Sequence, residues 1–217
     1  MSKPIFIIGA GGHARVLLEC LQQNVDIKIC GFLEVNKKLI GSSFFGVPIF
    51  DQEIILKKYS PKDIFLVNGI GSVDISHFRA KQFNQLKQRG FNFYSPIHLT
   101  AYCSKDIVVG EGAQLLARST ILTGSKIGCN TIVNTSASID HDCNIGDHVH
   151  IAPGAILSGG VKIEDDCHIG VGAKIIQGIH IGKNSLVAAG AVVISNLPEN
   201  SRVAGVPARA IKSHTEF

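Results

Sequence analysis

The sequence predicts an α/β Rossmann-like domain at residues 1–95, followed by a parallel β-helix domain at residues 96–217 that includes a C-terminal tail. Two observations predict this division. In the second part of the chain, one aliphatic residue recurs at every sixth position. That period suits a coil of short strands and not an α-helix, which turns once in about 3.6 residues. In the first part, apolar strands alternate with helical stretches, which is typical of an α/β fold.

The aliphatic series runs from Val109 to Val193 without a gap. A second series, mostly of small residues, precedes it by two positions and runs from Ile107 to Ala191. Each hexad is expected to form one strand and one corner, so that the fifteen hexads form five coils of eighteen residues. The aliphatic side chains would fill the interior, and the small residues would let the chain turn beside them. Stacked coils would lie about 4.8 Å apart.

Glycine follows the aliphatic residue with a period of eighteen, which Glu164 breaks once. These glycines are Gly110, Gly128, Gly146 and Gly182. The pattern predicts that one corner of each coil needs a backbone conformation that suits glycine.

The N-terminal domain opens with a continuous apolar run at residues 4–8, which predicts a buried parallel strand. A turn at residues 9–14 and a helix to about Gln23 follow. Further strands are expected at residues 27–33, 63–67 and 91–94, with a helix at residues 78–89.

A nucleotide site is predicted at the turn after the first strand, where Gly9, Gly11 and Ala14 fit the pattern G-x-G-x-x-A. Glycines there let a phosphate approach the N–H groups of a helix N-terminus, and Glu34 at the end of the next strand can hold ribose hydroxyls. His13 stands where the phosphates would lie. The domain is too short for a full dinucleotide fold, which favours a mononucleotide or nucleotide sugar; the alternative is a plain glycine-rich turn.

Composition narrows the classes of protein. A formal net charge of +4 without basic runs argues against nucleic-acid binding. The six cysteines show no C-x-x-C spacing and are expected to be reduced thiols of a cytoplasmic protein. The apolar run at the N-terminus is too short for a signal peptide or a membrane span, so no membrane partner is expected.

His141 is the candidate for chemistry in the β-helix. It lies two residues after a core position, so it should be outside the coil at or near a corner, and Asp140 and Asp142 flank it. Neutral histidine can take a proton from an amine or hydroxyl near pH 7. An adjacent carboxylate can fix its tautomer; we expect Asp142 in this role, with Asp140 as the alternative. The competing interpretation is an exposed corner histidine between two solvated acids.

The other histidines of the solenoid raise the alternative of a metal site. His150 and His168 are eighteen residues apart and should stack on one face, and His148 and His180 lie nearby in sequence. Zinc hydratases built on such a scaffold carry an H-x-x-x-x-H pair, which this chain lacks. No metal is therefore expected.

Several segments together resemble the bacterial sugar O- and N-acetyltransferases of the sialic acid O-acetyltransferase type, within the hexapeptide-repeat acyltransferases. This group includes the acetyltransferase that makes the UDP-linked precursor of bacillosamine. The segments are I-I-G-A-G-G-H-A-R-V at 7–16, G-I-G-S at 69–72, P-I-H at 96–98, N-T-S-A-S-I-D-H-D-C-N-I-G-D-H-V-H-I-A-P-G-A at 134–155 and V-A-G-V-P-A-R at 203–209. The resemblance covers nearly the whole chain and implies a left-handed β-helix.

The resemblance also implies roles for individual residues. His141 would be the general base, assisted by Asp142. The β-helix would form a homotrimer, with acetyl-CoA in the groove between neighbouring solenoids. The residues expected to contact acetyl-CoA are His150, Val171 and Ala189. The residues expected to bind the nucleotide sugar are Gly11, Gly12, His13, Glu34, Val35 and Gly69.

The resemblance thus predicts an acetyl-CoA-dependent N-acetyltransferase that acts on the amine of a UDP-linked 4-amino-4,6-dideoxy sugar for a bacterial surface glycan. Members that bind nucleotide sugars carry paired acids after the second strand, whereas this chain has Glu34 followed by Val35. That departure concerns the substrate and not the acetyl chemistry. The alternatives are an O-acetyltransferase of sialic acid or a related sugar, and a nucleotide-sugar-binding protein on an inactive solenoid.

Overall fold

The computed structural model describes residues 3–72 and 77–211, so residues 212–217 of the expected C-terminal tail lie outside the described part of the chain. The chain divides into two compact units, residues 1–99 and 100–217. The first is an α/β domain and the second is a left-handed parallel β-helix, as the sequence predicted. In the part of the chain that is described, no helix is long and apolar enough to cross a membrane.

The first unit is a six-stranded sheet flanked by helices. Its elements are β1 (Ile5–Ile8), α1 (Gly12–Gln22), β2 (Ile29–Glu34), β3 (Ser43–Phe44), β4 (Val47–Asp51), α2 (Gln52–Lys58), β5 (Phe65–Asn68), α3 (Phe78–Gln88) and β6 (Asn92–Phe93). The strand order is β3-β4-β2-β1-β5-β6, and all neighbours are parallel except the β3–β4 hairpin. The chain therefore leaves β1 in one direction for β2 and β4 and in the other for β5. Ligands of such sheets bind where the order reverses, beyond the carboxyl ends of the strands.

The second unit is built from two-residue strands. In chain order these are β7 (Tyr102–Cys103), β8 (Val108–Val109), β9 (Gln114–Leu115), β10 (Thr120–Ile121), β11 (Lys126–Ile127), β12 (Ile132–Val133), β13 (Ser138–Ile139), β14 (Asn144–Ile145), β15 (His150–Ile151), β16 (Ile156–Leu157), β17 (Lys162–Ile163), β18 (His168–Ile169), β19 (Lys174–Ile175), β20 (His180–Ile181), β21 (Leu186–Val187), β22 (Val192–Val193), β23 (Arg202–Ala204) and β24 (Arg209–Ala210). The fifteen predicted hexads correspond to β8–β22, and β7 precedes them as a further strand.

These strands form three parallel faces. The first face is β7, β10, β13, β16, β19 and β22; the second is β8, β11, β14, β17 and β20; the third is β9, β12, β15, β18, β21 and β23, with β24 added antiparallel. We call the turns that follow the first, second and third faces the first, second and third corners. The predicted aliphatic series lies inside: Ile121, Val133, Ile139, Ile151 and Ile169, for example, are completely buried. Residues eighteen apart are hydrogen-bonded neighbours in the stack.

The prediction that the glycines after the aliphatic residue adopt an unusual backbone conformation was wrong. Gly110, Gly128, Gly146 and Gly182 do not have a positive φ. Instead, a Cβ atom there would collide with the backbone of the next coil; at Gly110 it would lie 2.6 Å from the nitrogen of Cys129. These positions are therefore glycine because the coils approach closely, and not because the chain needs an unusual conformation.

The left-handed backbone lies at a different position, the residue immediately before each small residue from Ala113 to Ala191. It recurs at every sixth position without a gap: Gly112, Arg118, Gly124, Asn130, Ser136, Asp142, His148, Gly154, Gly160, Asp166, Gly172, Gly178, Asn184 and Gly190 all have a positive φ. Glycine, asparagine and aspartate tolerate this region best, and they fill most of the positions. This residue makes the turn, whereas the small residue after it is buried.

Candidate active site

His141 lies on the first corner between β13 and β14, and its side chain is 49% exposed, as the sequence predicted for a corner residue. The left-handed residue of this corner is Asp142, with a φ of 57°. Its backbone N–H donates to the carbonyl oxygen of Thr123 in the preceding coil at 2.9 Å. The corner is therefore anchored to the stack while the side chains of His141 and Asp142 face outward.

Asp142 contacts the imidazole ring directly, whereas Asp140 does not. His141 Nδ1 lies 2.9 Å from Asp142 Oδ2, and the His141 backbone N–H donates to Asp140 Oδ1 at 2.7 Å. A carboxylate only accepts hydrogen bonds, so Nδ1 carries the proton of this contact. In the neutral ring Nε2 then holds a free lone pair, which is the arrangement that a general base needs.

Two glycines in neighbouring coils leave room for this pair. A Cβ atom on Gly159 would lie 2.5 Å from His141 Nε2 and 2.6 Å from Cε1, so the ring lies against the glycine backbone. A Cβ atom on Gly124 would collide with Asp142 Oδ1. The stack therefore holds both side chains close to the solenoid surface, with Gly124 on one side and Gly159 on the other.

The electrostatics of the corner favour the protonated ring. The hydrogen bond that the ring donates to Asp142 is the largest cause that raises the pKa of His141 above its ordinary value. Loss of hydration lowers the pKa in part, and the charges of Asp140 and Asp142 raise it. A base with a raised pKa holds a proton more firmly once it has taken it. The corner can thus accept a proton from a nucleophile and return it to a leaving group.

The first unit contains a cleft of about 480 Å³ at the carboxyl ends of β1, β2 and β5, where the strand order reverses. All six residues predicted to bind the nucleotide sugar line it: Gly11, Gly12, His13, Glu34, Val35 and Gly69. Gly11 precedes α1 and has no side-chain cap, so the helix N-terminus opens into the cleft. Free N–H groups and the helix dipole make such a position suited to phosphate.

The glycines of the cleft differ in what they accommodate. A Cβ atom on Gly11 or Gly12 would have no heavy atom within 4 Å, so the space above them is open for a ligand. A Cβ atom on Gly69 would lie 2.5 Å from the carbonyl oxygen of Ile8 and 2.8 Å from Cβ of Ala14. Gly69 therefore lets β5 pack closely on β1 and α1, in addition to lining the cleft.

Glu34 ties the glycine-rich turn to the end of β2. Its Oε2 accepts from the N–H of Ala10 at 3.1 Å, and its Oε1 accepts from the N–H groups of Val35 and Asn36 at 2.8 and 3.1 Å. Each carboxylate oxygen can accept more than one hydrogen bond. The carboxylate thus fixes the shape of the cleft and keeps acceptor capacity for a hydroxyl.

The three residues predicted to contact acetyl-CoA lie on another part of the solenoid. His150 is on the third face, paired with His168 in the next coil, and their rings meet edge to face at 4.8 Å, as the spacing of eighteen predicted. Val171 and Ala189 are both exposed and stack one coil apart on the third corner.

Asn134 fixes the His150 ring. Its Oδ1 accepts from the N–H of Thr135 at 2.8 Å, which leaves Nδ2 to donate to His150 Nε2 at 3.0 Å. In the neutral ring, His150 Nδ1 then carries the proton. Asn134 was not predicted from the sequence, because its partner lies sixteen positions away and no local pattern marks the pair.

The base and the coenzyme residues are on opposite sides of the triangular coil. The first corner joins the first and second faces, so it lies across the coil from the third face, which carries His150. A single solenoid therefore does not bring His141 and His150 together.

Across residues 3–72 and 77–211, no group of three or more histidine, cysteine, aspartate or glutamate side chains could hold a metal ion. Two of the solenoid histidines are bonded to protein groups instead. His148 Nδ1 lies 3.0 Å from Asn130 Nδ2, and His180 Nε2 lies 2.9 Å from Glu164 Oε1.

Family models match both units. Residues 4–86 match the PglD N-terminal domain, residues 124–159 match the bacterial transferase hexapeptide (six repeats), and residues 160–195 match the hexapeptide repeat of succinyl-transferase.

The curated proteins that are similar in sequence include two N-acetyltransferases. The chain is 31% identical over 157 residues to the GDP-perosamine N-acetyltransferase of Escherichia coli O157:H7, which covers 70% of this chain and 69% of that protein. It is 35% identical over 118 residues to the UDP-N-acetylbacillosamine N-acetyltransferase of Bacillus subtilis (strain 168), over 53% of this chain and 52% of that protein.

Solved structures are similar over nearly the whole chain. PerB from Caulobacter crescentus, in complex with CoA and GDP-perosamine, has a TM-score of 0.87 and 32% identity, covering 96% of this chain and 97% of that one. The acetyltransferase domain of PglB from Neisseria gonorrhoeae FA1090, in complex with acetyl coenzyme A, has a TM-score of 0.88 and 31% identity, covering 97% and 100%.

The contact between His141 and Asp142 predicts how the ring titrates. We expect the pKa of the wild-type ring to lie above the ordinary histidine pKa. Asp142→Asn should lower the His141 pKa, because it removes the largest cause of the shift, and Asp140→Asn should lower it by less, because it removes only a nearby charge. NMR titration of the Cε1–H resonance of His141 measures all three values. A larger drop in Asp140→Asn than in Asp142→Asn would contradict the geometry.

Proposed function

The chain belongs to the family of acetyl-CoA-dependent sugar acetyltransferases in which a PglD N-terminal domain precedes hexapeptide repeats, and we propose that it acetylates the amine of a UDP-linked 4-amino-4,6-dideoxy sugar. The product would serve the synthesis of a bacterial surface glycan. The observation that carries the proposal is the His141–Asp142 pair on the first corner, with Nδ1 bonded to the carboxylate and Nε2 left as a base.

His141 moves the proton in the proposed reaction. When bound, acetyl-CoA supplies the acetyl group as a thioester. His141 Nε2 accepts the proton that the sugar amine loses as its nitrogen bonds to the acetyl carbon. It then returns this proton to sulfur when the C–S bond breaks, so that the products are the N-acetyl sugar and the CoA thiol. Asp142 holds the ring in the required tautomer and stabilises the imidazolium between the two transfers.

The cleft of the first unit is the proposed nucleotide-sugar site. Gly11, Gly12 and His13 would hold the diphosphate at the N-terminus of α1, where the space is open. Glu34 would accept from ribose hydroxyls, with Val35 and Gly69 lining the walls. One similar protein is named for a GDP-linked sugar and the other for a UDP-linked sugar. The assay below therefore tests the nucleobase separately from the acetyl transfer.

The active site is proposed to need a second copy of the chain. His150, Val171 and Ala189 would contact acetyl-CoA along the third face and third corner, whereas His141 lies on the opposite corner. In a homotrimer, the third corner of one solenoid can face the first corner of its neighbour, and a ring of three such contacts closes. Acetyl-CoA would then lie in the groove between two solenoids, with its acetyl group beside the His141 of one of them.

An acetylation assay tests the proposal. Purified protein with acetyl-CoA should acetylate a UDP-4-amino-4,6-dideoxy sugar, as detected by the mass of the product. His141→Ala should reduce turnover by about a hundredfold or more, because a general base is lost. His180→Ala is a matched control, because it removes another solenoid histidine, one bonded to Glu164 and outside the proposed site.

The outcomes separate the parts of the proposal. Acetylation of a GDP-linked 4-amino sugar alone would leave the N-acetyltransferase activity standing and would overturn the choice of uracil as the nucleobase of the substrate. Acetylation of free sialic acid alone would overturn both the acceptor and the role of the cleft. Full activity of His141→Ala would contradict the assignment of the base.

A further inference from the structure

A largely buried glutamine side chain lines the cleft and has no hydrogen-bond partner among the described residues. Gln52 is only 6% exposed and lines the cleft, and within residues 3–72 and 77–211 its side chain makes no hydrogen bond. Buried amides are nearly always bonded, because an unmet donor or acceptor is costly. Gln52 is therefore placed to bond to a ligand in the cleft.

The position of Gln52 in the sheet indicates which part of the ligand it would meet. It is the first residue of α2, directly after β4, and β4 pairs with β2 so that Asp51 lies opposite Glu34. The Asp51 carboxylate caps α2 by accepting from the N–H of Ile54 at 3.1 Å, which fixes the backbone at Gln52. Across the cleft the strand ends thus follow the order β1, β2, β4.

This order matches the parts of a nucleoside diphosphate. The glycine-rich turn after β1 suits the diphosphate, and Glu34 at the end of β2 suits the ribose. The base comes next along the ligand, and the end of β4 comes next along the sheet. Gln52 is the buried polar side chain at that end.

We propose that Gln52 is a specificity-determining residue that hydrogen-bonds the imide edge of uracil. Its amide presents one acceptor and one donor, which match the N3–H and the C4 carbonyl of that base. The inference rests on the proposed function, because it takes the cleft as a nucleotide-sugar site.

Binding of UDP, CDP, GDP and inorganic pyrophosphate to the full chain, measured by calorimetry, tests the proposal. Gln52→Leu should weaken the binding of UDP by about tenfold or more and leave the binding of pyrophosphate unchanged, since only the nucleobase loses a contact. Gln52→Glu should shift the preference from UDP towards CDP, because a carboxylate repels the C4 carbonyl of uracil and accepts from the amino group of cytosine. Gln82→Leu is the control, a second cleft glutamine that lies in α3; it should leave the UDP-to-CDP ratio unchanged.

The failures are distinguishable. If the wild type binds UDP and Gln52→Leu binds it equally well, the role of Gln52 is wrong and the proposed function stands. The same holds if Gln52→Leu weakens the binding of UDP and of pyrophosphate by the same factor. If the wild type prefers GDP, the assignment to uracil is wrong. If the wild type binds no nucleoside diphosphate, the nucleotide-sugar site and the role of Gln52 fail together.

The corner that carries His141 is held by a buried hydroxyl from the preceding coil. The hydroxyl of Ser125, completely buried in the preceding coil, donates to the carbonyl oxygen of Asp140 at 2.8 Å and accepts from the N–H of Cys143 at 3.2 Å. On the third corner the equivalent N–H bonds directly to the carbonyl three residues earlier, as from Ala137 to Asn134 at 3.0 Å. Ser125 is thus inserted between the two ends of the turn.

The same bridge recurs elsewhere in the solenoid. Thr131 joins the carbonyl oxygen of Gly146 and the N–H of Val149, and Ser185 joins the carbonyl oxygen of Pro198 and the N–H of Ser201. Of these three bridges, the one made by Ser125 spans His141 and Asp142.

We infer that Ser125 is a positioning residue for the base, on the proposed function of His141. Its hydroxyl sets the separation of the two ends of the turn, and the turn sets how Asp142 meets the ring. Loss of the hydroxyl would let the ends close on each other and disturb the 2.9 Å contact between Nδ1 and Oδ2.

Ser125→Ala and Ser185→Ala form a matched pair, because each removes one buried bridging hydroxyl. Ser125→Ala should reduce kcat by about tenfold with KM unchanged and should lower the His141 pKa, as the bond to Asp142 loosens. Ser125→Thr should restore both, since threonine forms this bridge at position 131. Ser185→Ala should lose about as much thermal stability as Ser125→Ala, with kcat and the His141 pKa unchanged.

Equal kcat and His141 pKa in Ser125→Ala and Ser185→Ala would overturn the inference. If Ser125→Ala does not fold, Ser125→Cys gives the same test, because Cys143 and Cys167 occupy equivalent positions and donate to backbone carbonyls there. Cysteine keeps the donor but at a longer distance, since Cys143 Sγ lies 3.3 Å from the carbonyl oxygen of Ser158 whereas the Ser125 hydroxyl lies 2.8 Å from that of Asp140. An unchanged His141 pKa and kcat in Ser125→Cys would therefore also overturn the inference.

Discussion

The corners of the solenoid between Gly112 and Gly190 each depend on one residue in the left-handed region of the backbone, which recurs at every sixth position. This residue turns the chain into the next face and keeps the coil at eighteen residues, so that strands stack in register. A side chain there costs about 1–2 kcal/mol, which explains why glycine is frequent. Asp142 is one of the exceptions, and it is the residue that bonds to His141.

The stacking register also explains why the surroundings of the base come from distant positions. Gly159, which lies against the His141 ring, is eighteen residues after it, and Gly124 is eighteen residues before Asp142. Ser125 is eighteen residues before Cys143. The candidate base is thus shaped by three successive coils, and its immediate sequence supplies only Asp140 and Asp142.

The periodic features were predictable from the sequence because a repeat is a long, redundant signal. It gave the β-helix, the outward position of His141 and the stacking of His150 on His168. The hairpin of β3 and β4 and the helix α2 were not predicted, since short elements without a period leave little pattern. Gln52 and Ser125 were missed for a related reason: their significance lies in burial and in partners far along the chain. The eighteen-residue period of Gly128 and its equivalents is real, but its predicted cause was wrong. Close approach of neighbouring coils and a positive φ both favour glycine, and a sequence pattern does not distinguish them.

The central claim that follows is that two copies of the chain build one active site, because His141 and His150 lie on opposite sides of a single coil. Mixed oligomers test this most directly. His141→Ala lacks the base, and Ala189→Trp should block the exposed third corner, so each variant alone should be nearly inactive. Unfolded together and refolded as mixed rings, they should recover about a quarter of wild-type turnover, the share of contacts that join two intact halves in a random ring. Activity that stays at the sum of the separate variants would contradict the shared site.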